Sequence, residues 1–249
     1  MKIALVSDIH GNVLALEAVL KDLKAEAPDL VVNLGDCVSG PLWPEETAVL
    51  LHEHKWPTVR GNHDRFVLDD PIGELGPTDL FAAERLSAES RAWLETTEAT
   101  IRLDGGILLC HGTPDNDNRY LTEKAEGPKG HLPDETALLN ELKGEAAPII
   151  CCGHSHIPRV IRLEKTGQML INPGSVGLPS YQDDHPHKHV METGSPHARY
   201  ALMTDNNGAW NFQQKILTYD WDAASREADK NGRPDWARSL KHGFYGPLS

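Results

Sequence analysis

The sequence contains no apolar run long enough to cross a membrane. Its first six residues are largely apolar but lead directly into polar Ser7 and Asp8, which is too short a run for a signal peptide. No later segment approaches the roughly 18 consecutive apolar residues of a membrane helix. We therefore expect a cytoplasmic protein that has no membrane partner.

Cysteine is also scarce. The four cysteines, Cys37, Cys110, Cys151 and Cys152, lie in or beside apolar strand-like runs and lack the dense spacing of a disulfide framework. We expect all four to be reduced thiols.

Cationic residues are fewer than anionic residues. The chain has 24 Lys and Arg residues against 37 Asp and Glu residues, which gives a net charge of -13. Such a charge disfavours long nucleic acids and anionic membranes as partners. A small phosphorylated substrate would need local positive charge, which bound cations could provide.

The chain has no internal repeat or low-complexity tract, and 249 residues with 39% apolar content can form one domain spanning residues 1–249. The N-terminal part predicts strands at residues 2–7, 30–34 and 56–60, with helices that begin near Val13 and Pro44. Polar residues follow each strand. This β-α-β-α-β pattern predicts a parallel sheet.

The rest of the chain predicts helices followed by a strand-rich half. Residues 66–100 have a helical composition and could form a cap, and Asp104-Gly105-Gly106 indicates a hairpin. Residues 113–133 and 181–197 show no clear periodicity, and we expect both to be mobile loops. The remaining predicted elements are strands at 101–103, 107–110, 149–152, 159–163, 169–171, 199–203 and 210–217 and a broken helix at 221–241.

Side chains able to bind metals follow five separate strand-like runs. In an α/β sheet the loops beyond the carboxyl ends of the strands converge, so residues distant in sequence can meet there. Glycines beside these segments permit tight turns and close approach of the backbone to a ligand. The segments are Asp8-Ile9-His10, Gly35-Asp36, Gly61-Asn62-His63-Asp64, Cys110-His111-Gly112 and Gly153-His154-Ser155-His156.

Together the segments offer carboxylates, an amide oxygen and several imidazoles. This mixed set suits Mn, Fe, Zn, Co or Ni ions better than Ca²⁺ or a simple Mg²⁺ site. Singly, Asp8 could cap a helix and Asp36 could form an Asx-turn, but neither alternative explains the repetition after successive strands. The pattern therefore predicts a metal site.

In their order, the motifs D-x-H, G-D, G-N-H-D, H and G-H-x-H over residues 8–156 resemble the signature of the calcineurin-like metallophosphoesterase superfamily. Residues 172–177, Asn-Pro-Gly-Ser-Val-Gly, are similar to a segment of its small bacterial branch of phosphodiesterases and diadenosine polyphosphate hydrolases. The resemblance implies an α/β fold, a four-layer α-β-β-α sandwich with two mixed sheets and the metal site at the C-terminal ends of the strands.

The resemblance also implies roles for the site residues. His63 would be a catalytic proton donor, and Asp64 would fix its tautomer through a hydrogen bond. The implied ligands are Asp8, His10 and His156 for one divalent transition-metal ion, Asn62, His111 and His154 for a second, and Asp36 as the bridge. Independently of the resemblance, Asn12 at a helix N-terminus could contact the substrate phosphate.

The implied activity is two-metal hydrolysis, by metal-bound hydroxide, of a phosphate ester or pyrophosphate bond in a small soluble substrate. Among such substrates we favour a nucleotide or dinucleoside polyphosphate. The motifs resemble the protein serine/threonine phosphatase branch too, and a catalytically silent interaction module of the same fold is a third alternative. The negative charge and the lack of a basic tract disfavour a processive nuclease.

Three further groups of residues each have two interpretations. A nucleobase platform or core packing would explain the aromatic residues Trp43, Trp56, Phe66 and Trp93. Phosphate binding or surface ion pairs would explain Arg65, Arg119 and Arg159. A place at the substrate entrance or in a solvated loop would explain His185, His187 and His189.

Overall fold

The computed structural model describes residues 1–246 as two packed β-sheets with helices on the outer faces. The strands, in chain order, are β1 (Lys2–Val6), β2 (Leu30–Asn33), β3 (Thr100–Leu103), β4 (Ile107–Cys110), β5 (Ile149–Cys151), β6 (Arg159–Arg162), β7 (Met169–Asn172), β8 (Ser180–Asp183), β9 (His189–Glu192), β10 (Ala198–Asn206) and β11 (Ala209–Leu217).

The helices lie mostly in the first and last parts of the chain. They are α1 (Val13–Glu26), α2 (Pro44–His54), α3 (Asn62–Asp69), α4 (Pro77–Ala83), α5 (Ala88–Glu95), α6 (Glu135–Leu142), α7 (Trp221–Lys230) and α8 (Pro234–His242). Within residues 1–246, none of these helices has the length and apolar character needed to cross a membrane.

The first sheet is built around β1, which is apolar on both faces. Its strand order is β11-β10-β1-β2, with β2 parallel to β1 and β10 antiparallel to it. Ile3 and Leu5 are buried against the second sheet, whereas Ala4 and Val6 are buried against the helical layer. The alternation follows from the two-residue period of a strand.

The second sheet has the order β3-β4-β5-β7-β6 and is also mixed, because β4, β5 and β7 are parallel while β3 and β6 are antiparallel to their neighbours. Leu109 of β4 faces the first sheet. Leu108 faces the opposite side, where Leu138 and Leu142 of α6 cover it. The predicted four-layer α-β-β-α sandwich is confirmed.

The third predicted strand, residues 56–60, is reduced to two isolated bridges. Thr58 pairs with Asn33, the last residue of β2, and Val59 pairs with Glu98, two residues before β3. Pro57 lacks an N–H group, and α3 begins at Asn62, so little of this segment can join a ladder. The helical interpretation of residues 66–100 holds for α3, α4 and α5, although α3 starts earlier than expected.

The segment 181–197, which we expected to be an irregular loop, contains most of a β-hairpin. β8 pairs with β9 in the antiparallel register Ser180 to Glu192 and Asp183 to His189. Polar residues such as Ser180 and His189 are buried in it, so the strands lack the apolar alternation that identifies a strand in sequence. Residues 113–133 do lack helices and named strands, and the mobility of both segments stays a prediction.

All four cysteines are free and buried, as the prediction of reduced thiols requires. Burial disfavours the charged thiolate and raises the pKa of each thiol.

The core between the sheets gives the first testable prediction. Leu5 has no exposed surface, so Leu5→Ala should lower the free energy of unfolding by about 2–5 kcal/mol through lost burial and a residual cavity. Ile216 in β11 is 55% exposed, and Ile216→Ala should cost less than about 1 kcal/mol. Urea unfolding followed by circular dichroism compares the two variants, and equal losses would contradict this packing.

Candidate metal centre

Seven polar side chains meet where strands of the two sheets end. Each is at most 6% exposed although the sites lie far apart in sequence. The first sheet supplies the segments after β1 and β2, and the second sheet supplies those after β4 and β5. The residues are Asp8, His10, Asp36, Asn62, His111, His154 and His156.

Six of these side chains form two groups that could each hold a metal ion. Within each group the ligand atoms lie within 4.8 Å of one another, and the groups are Asp8, His10 and His156, and Asp36, His111 and His154. Asp36 lies between them, because its Oδ2 is 3.6 Å from Nε2 of His10 and 3.3 Å from Nε2 of His111.

Backbone carbonyls fix the tautomers of three of the imidazoles. Nδ1 of His10 donates to the carbonyl of Ser39 at 2.8 Å, and Nδ1 of His156 donates to that of Leu178 at 2.7 Å. A carbonyl can only accept, so in the neutral rings Nε2 carries a lone pair. These two Nε2 atoms are nevertheless 3.1 Å apart. Facing lone pairs repel, and a cation beside both would make the arrangement favourable.

A backbone carbonyl also holds an imidazole of the second group. Nδ1 of His111 donates to the carbonyl of Leu34 at 2.7 Å, and its Nε2 is 3.0 Å from Oδ1 of Asn62. Asn62 is oriented by Asn118, whose Oδ1 accepts from Nδ2 of Asn62 at 3.0 Å. Oδ2 of Asp8 is buried without a hydrogen-bond partner in the described residues. This donor set of imidazoles, carboxylates and an amide oxygen fits divalent cations.

The charges of the centre are also suited to a cation. Burial lowers the pKa of His10 to about 4 and that of His154 to about 3, so both rings are neutral at pH 7. Burial opposes ionisation of Asp36, but the nearby imidazoles, His111 above all, hold its pKa well below the usual range. Burial likewise opposes the charge on His111, yet Asp36 and Asp8 raise its pKa to about 10. A cation would displace that proton.

Five of the seven residues have a left-handed backbone conformation, which non-glycine residues seldom adopt. Their φ angles are 54° for Asp8, 52° for His10, 55° for Asp36, 66° for His154 and 60° for His156. The backbone is also packed tightly, since a Cβ on Gly61 would collide with Oδ1 of Asp36. Strained backbone concentrated at one buried cluster is a feature of functional sites.

The expected hydrogen bond between Asp64 and His63 is wrong. Asp64 is fully buried, and its carboxylate accepts from the backbone amides of Asp36 at 2.9 Å, Cys37 at 2.9 Å and Gly61 at 3.0 Å. It lies in the first turn of α3, so its carboxylate is directed back toward the start of the helix. Asp64 therefore holds the backbone around Asp36 and does not orient the catalytic candidate.

Asp79 of α4 is the partner of His63, which sequence reasoning missed. Nδ1 of His63 is 2.7 Å from Oδ1 of Asp79, and the same oxygen accepts from Oγ of Ser39 at 2.6 Å. The carbonyl of Ser39 in turn holds His10. In the sequence, Asp79 follows Pro77 in the first turn of a helix, which is a common place for a carboxylate that has no other role.

Asn12 does not contact the site cavity, so the expected contact with substrate is wrong. Its Oδ1 accepts from the amide of Ala15, and its Nδ2 donates to the carbonyl of Gly177 at 2.9 Å and to the hydroxyl of Tyr219 at 3.2 Å. With no exposed surface, Asn12 caps α1 and ties it to the segment after β7.

The metal centre opens into a cavity of about 960 Å³. Phe66 lines it, whereas Trp43, Trp56 and Trp93 pack against core clusters. Of these four aromatic residues, Phe66 alone is therefore placed to contact a nucleobase in the cavity. The cavity is also lined by residues of the 113–133 segment, β8 and α8, including Arg119, Tyr120, Tyr181, Arg233 and Trp236.

The three arginines form ion pairs, whereas the histidines of the 181–197 segment differ in whether they line the cavity. Arg65 pairs with Asp117, Arg159 pairs with Glu123, and Arg119 pairs with Glu141 at the cavity wall. His185 and His187 line the cavity, but His189 is buried and accepts from the hydroxyl of Tyr120 at 3.0 Å. His189 therefore belongs to the structural support of the hairpin.

The similarity to several other proteins, in sequence and in structure, extends over nearly the whole chain. An uncharacterised protein from Methanocaldococcus jannaschii is 27% identical over 258 residues, which cover 94% of each chain. A metallophosphoesterase from Sphaerobacter thermophilus has a TM-score of 0.76 at 24% identity, covering 98% of this chain and 99% of that one. A hypothetical protein from Pyrococcus horikoshii has a TM-score of 0.72 at 18% identity, covering 98% of each.

The similarity to the two solved structures shows a shared fold. A model of the calcineurin-like phosphoesterase superfamily domain matches residues 1–195, a span that contains all seven side chains of the centre. This match, taken with the two groups of ligand atoms, shows that the chain belongs to the calcineurin-like phosphoesterase superfamily and is a metal-dependent phosphoesterase.

Proposed function

We propose that the chain uses two divalent cations to hydrolyse a phosphate ester or pyrophosphate bond in a small substrate, and we favour a nucleotide or dinucleoside polyphosphate. The observation that carries the proposal is the convergence of buried acceptor atoms, above all the 3.1 Å between Nε2 of His10 and Nε2 of His156. In this proposal the cations are held by Asp8, His10 and His156, and by Asn62, His111 and His154, with Asp36 shared.

The residues around the cations have separate tasks. When bound, a pair of divalent cations lowers the pKa of a coordinated water and neutralises charge on the phosphoryl oxygens. The carbonyls of Ser39, Leu34 and Leu178 hold the imidazoles in one orientation. The imidazole-rich set favours Mn, Fe, Zn, Co or Ni over Ca²⁺.

His63 is the proposed proton donor to the leaving oxygen. It lines the cavity, and its ring centroid is 5.6 Å from that of His10. Burial would lower its pKa, but the charges of Asp79 and Asp36 outweigh burial and raise it to about 9. In the metal-free protein this raised pKa favours the protonated ring, the form that a general acid requires. Asp79 holds the ring through Nδ1, so Nε2 is the atom available to donate.

The shape of the cavity supports a small substrate over a phosphoprotein. The space is about 960 Å³ and has walls from α8, β8 and the 113–133 segment, which is the size usual for a site that binds a small molecule such as a nucleotide. The net charge of -13 opposes long nucleic acids. The free, buried cysteines are compatible with the cytoplasm, which we propose as the compartment.

A substrate screen separates the competing functions. Purified protein supplied with Mn²⁺ is tested on p-nitrophenyl phosphate, bis(p-nitrophenyl) phosphate, several dinucleoside polyphosphates and a phosphopeptide. Turnover of small esters or dinucleoside polyphosphates supports the proposal. Preference for the phosphopeptide would instead indicate a protein phosphatase, and activity on none of them would indicate a silent interaction module.

Asp36→Asn should reduce the number of bound metal ions, because the change removes a negative charge that lies within 3.6 Å of an imidazole of each group. Inductively coupled plasma mass spectrometry after reconstitution and gel filtration measures the stoichiometry. Asp117→Asn, at a carboxylate paired with Arg65, is the matched control and should retain both ions. Two ions retained by Asp36→Asn would contradict the bridging role.

His63→Ala should keep both metal ions but lower kcat at least about a hundredfold, the scale of general acid catalysis. His242→Ala, which changes an exposed histidine near the end of α8, serves as the control and should leave kcat unaltered. Steady-state kinetics and metal analysis on the same preparations provide the comparison. Undiminished turnover would remove His63 from the mechanism.

Asp79→Asn should lower the pKa of His63, because it removes the nearest carboxylate. The folded-state pKa of about 9 lies above the ordinary histidine value of 6.5, so the charged form stabilises the fold below about pH 6.5 and this contribution is lost as pH rises through 9. In the variant that loss should begin at lower pH.

Histidine ring NMR of metal-free protein measures the titration of His63 directly. Ser39→Ala removes the hydrogen bond that Ser39 donates to Asp79 but leaves the charge of Asp79 in place. It should therefore lower the pKa of His63 less than Asp79→Asn does. An unchanged His63 titration in Asp79→Asn would show that this carboxylate does not set the charge.

A further inference from the structure

Helix α8 and the residues that flank it form one wall of the cavity although they lie beyond the residues that match the family model. That match ends at residue 195, and α7 and α8 follow it. They pack on the body of the protein through an apolar cluster that joins Trp236 and Leu240 of α8 to Leu42 and Leu178. The wall is therefore a fixed part of the fold in the described residues.

Two contacts place this wall beside the catalytic groups. The ring centroid of Trp236 is 5.9 Å from that of His10, one of the residues of the metal centre. At the start of α8, Nη1 of Arg233 donates to Oγ1 of Thr78 at 2.9 Å. Thr78 precedes Asp79, the partner of His63, so the guanidinium lies on the His63 side of the cavity.

The hydrogen bonds of Arg233 leave part of its guanidinium available. Nε and Nη2 donate to the two oxygens of Asp235 at 3.0 and 2.7 Å, and Nη1 donates to Thr78. An arginine side chain has five N–H bonds, so two have no partner among residues 1–246. The side chain lines the cavity and is 23% exposed, which makes those donors accessible to a ligand.

We propose that Arg233 binds a second anionic group of the substrate, located in the leaving group. The inference rests on the proposed function, in which His63 protonates the leaving oxygen. An anion bound by Arg233 would then lie near that oxygen, because Arg233 bonds to Thr78 and the next residue, Asp79, holds His63. The substrate class that fits is a phosphoanhydride or ester whose leaving group retains its own phosphate.

Arginine is suited to this task because its planar fork can donate two parallel hydrogen bonds to a phosphate. Asp235 and Thr78 hold the guanidinium in place, so little side-chain freedom is lost on binding. Arg119 and Lys124 also line the cavity, where Arg119 pairs with Glu141 and Lys124 with Glu126. Neither is tied to the helix that carries the partner of His63.

Calorimetric binding to Mn²⁺-loaded protein tests the proposal without turnover. The ligands are α,β-methylene-ADP, which has an extra phosphate in the leaving-group position, and the methylenephosphonate analogue of AMP, which lacks it. Wild type should prefer the first ligand. The measured quantity is the dissociation constant of the AMP analogue divided by that of α,β-methylene-ADP. Arg233→Gln should reduce this ratio about tenfold or more, the scale of a charged hydrogen-bond pair. Arg102→Gln, at an arginine paired with Glu145 outside the cavity, should leave the ratio unaltered.

Two more variants separate ligand binding from a purely structural tether. Asp235→Asn keeps the charge of Arg233 but removes the carboxylate that competes with an anionic ligand for it. The preference for α,β-methylene-ADP should therefore persist or increase. Thr78→Val breaks the link to α4 and should have a smaller effect than Arg233→Gln. An unchanged ratio in Arg233→Gln, or an equal loss in all three variants, would overturn the proposal.

Hydrolysis of bis(p-nitrophenyl) phosphate by wild type is measured in parallel. Normal hydrolysis with an unchanged binding ratio in Arg233→Gln would mean that only the Arg233 inference fails. Absence of hydrolysis on every substrate would refute the proposed function itself, while the binding ratio still decides whether Arg233 recognises a second anion.

Discussion

Buried hydrogen-bond acceptors that face one another without a proton between them are the constraint on which this centre depends. The carbonyl-bound Nδ1 atoms of His10 and His156 leave two lone pairs directed at each other at 3.1 Å. In water such a contact would relax by rotation of the rings. Here the carbonyls and the surrounding burial prevent rotation, so the repulsion persists in the folded protein. A centre prepared in this way favours cations over an empty state.

The two groups of ligand atoms each draw on both sheets. Asp8 and His10 follow a strand of the first sheet, while His156, in the same group, follows a strand of the second. In the other group, Asp36 comes from the first sheet and His111 from the second. The distances within each group are therefore set by the apolar core between the sheets. Packing of residues remote from the cavity contributes to the geometry of the metal centre for this reason.

The sequence predicted the parts of the structure that repeat and missed those that depend on single long-range contacts. Polar motifs after successive strands identified the seven side chains, because strand ends converge wherever parallel strands are neighbours. Asp79 could not be identified, since only the fold of α4 over the cavity brings it to His63. The hairpin of β8 and β9 was missed because it buries polar residues. The left-handed backbone of His154 could not be predicted, because even residues enriched in this conformation adopt it only uncommonly.

Neighbouring carboxylates in the centre have different tasks, which explains why adjacency in sequence misled the interpretation of Asp64. Three backbone amides occupy its oxygens, and burial with the nearby charge of Asp36 raises its pKa to about 6. A second carboxylate was needed for His63, and α4 supplies it from outside the strand-end motifs. Because α4 also contacts Arg233, the residue before α8, His63 and the outer wall are connected through two successive residues, Thr78 and Asp79. Changes in the C-terminal wall should therefore affect leaving-group recognition before they affect the cations.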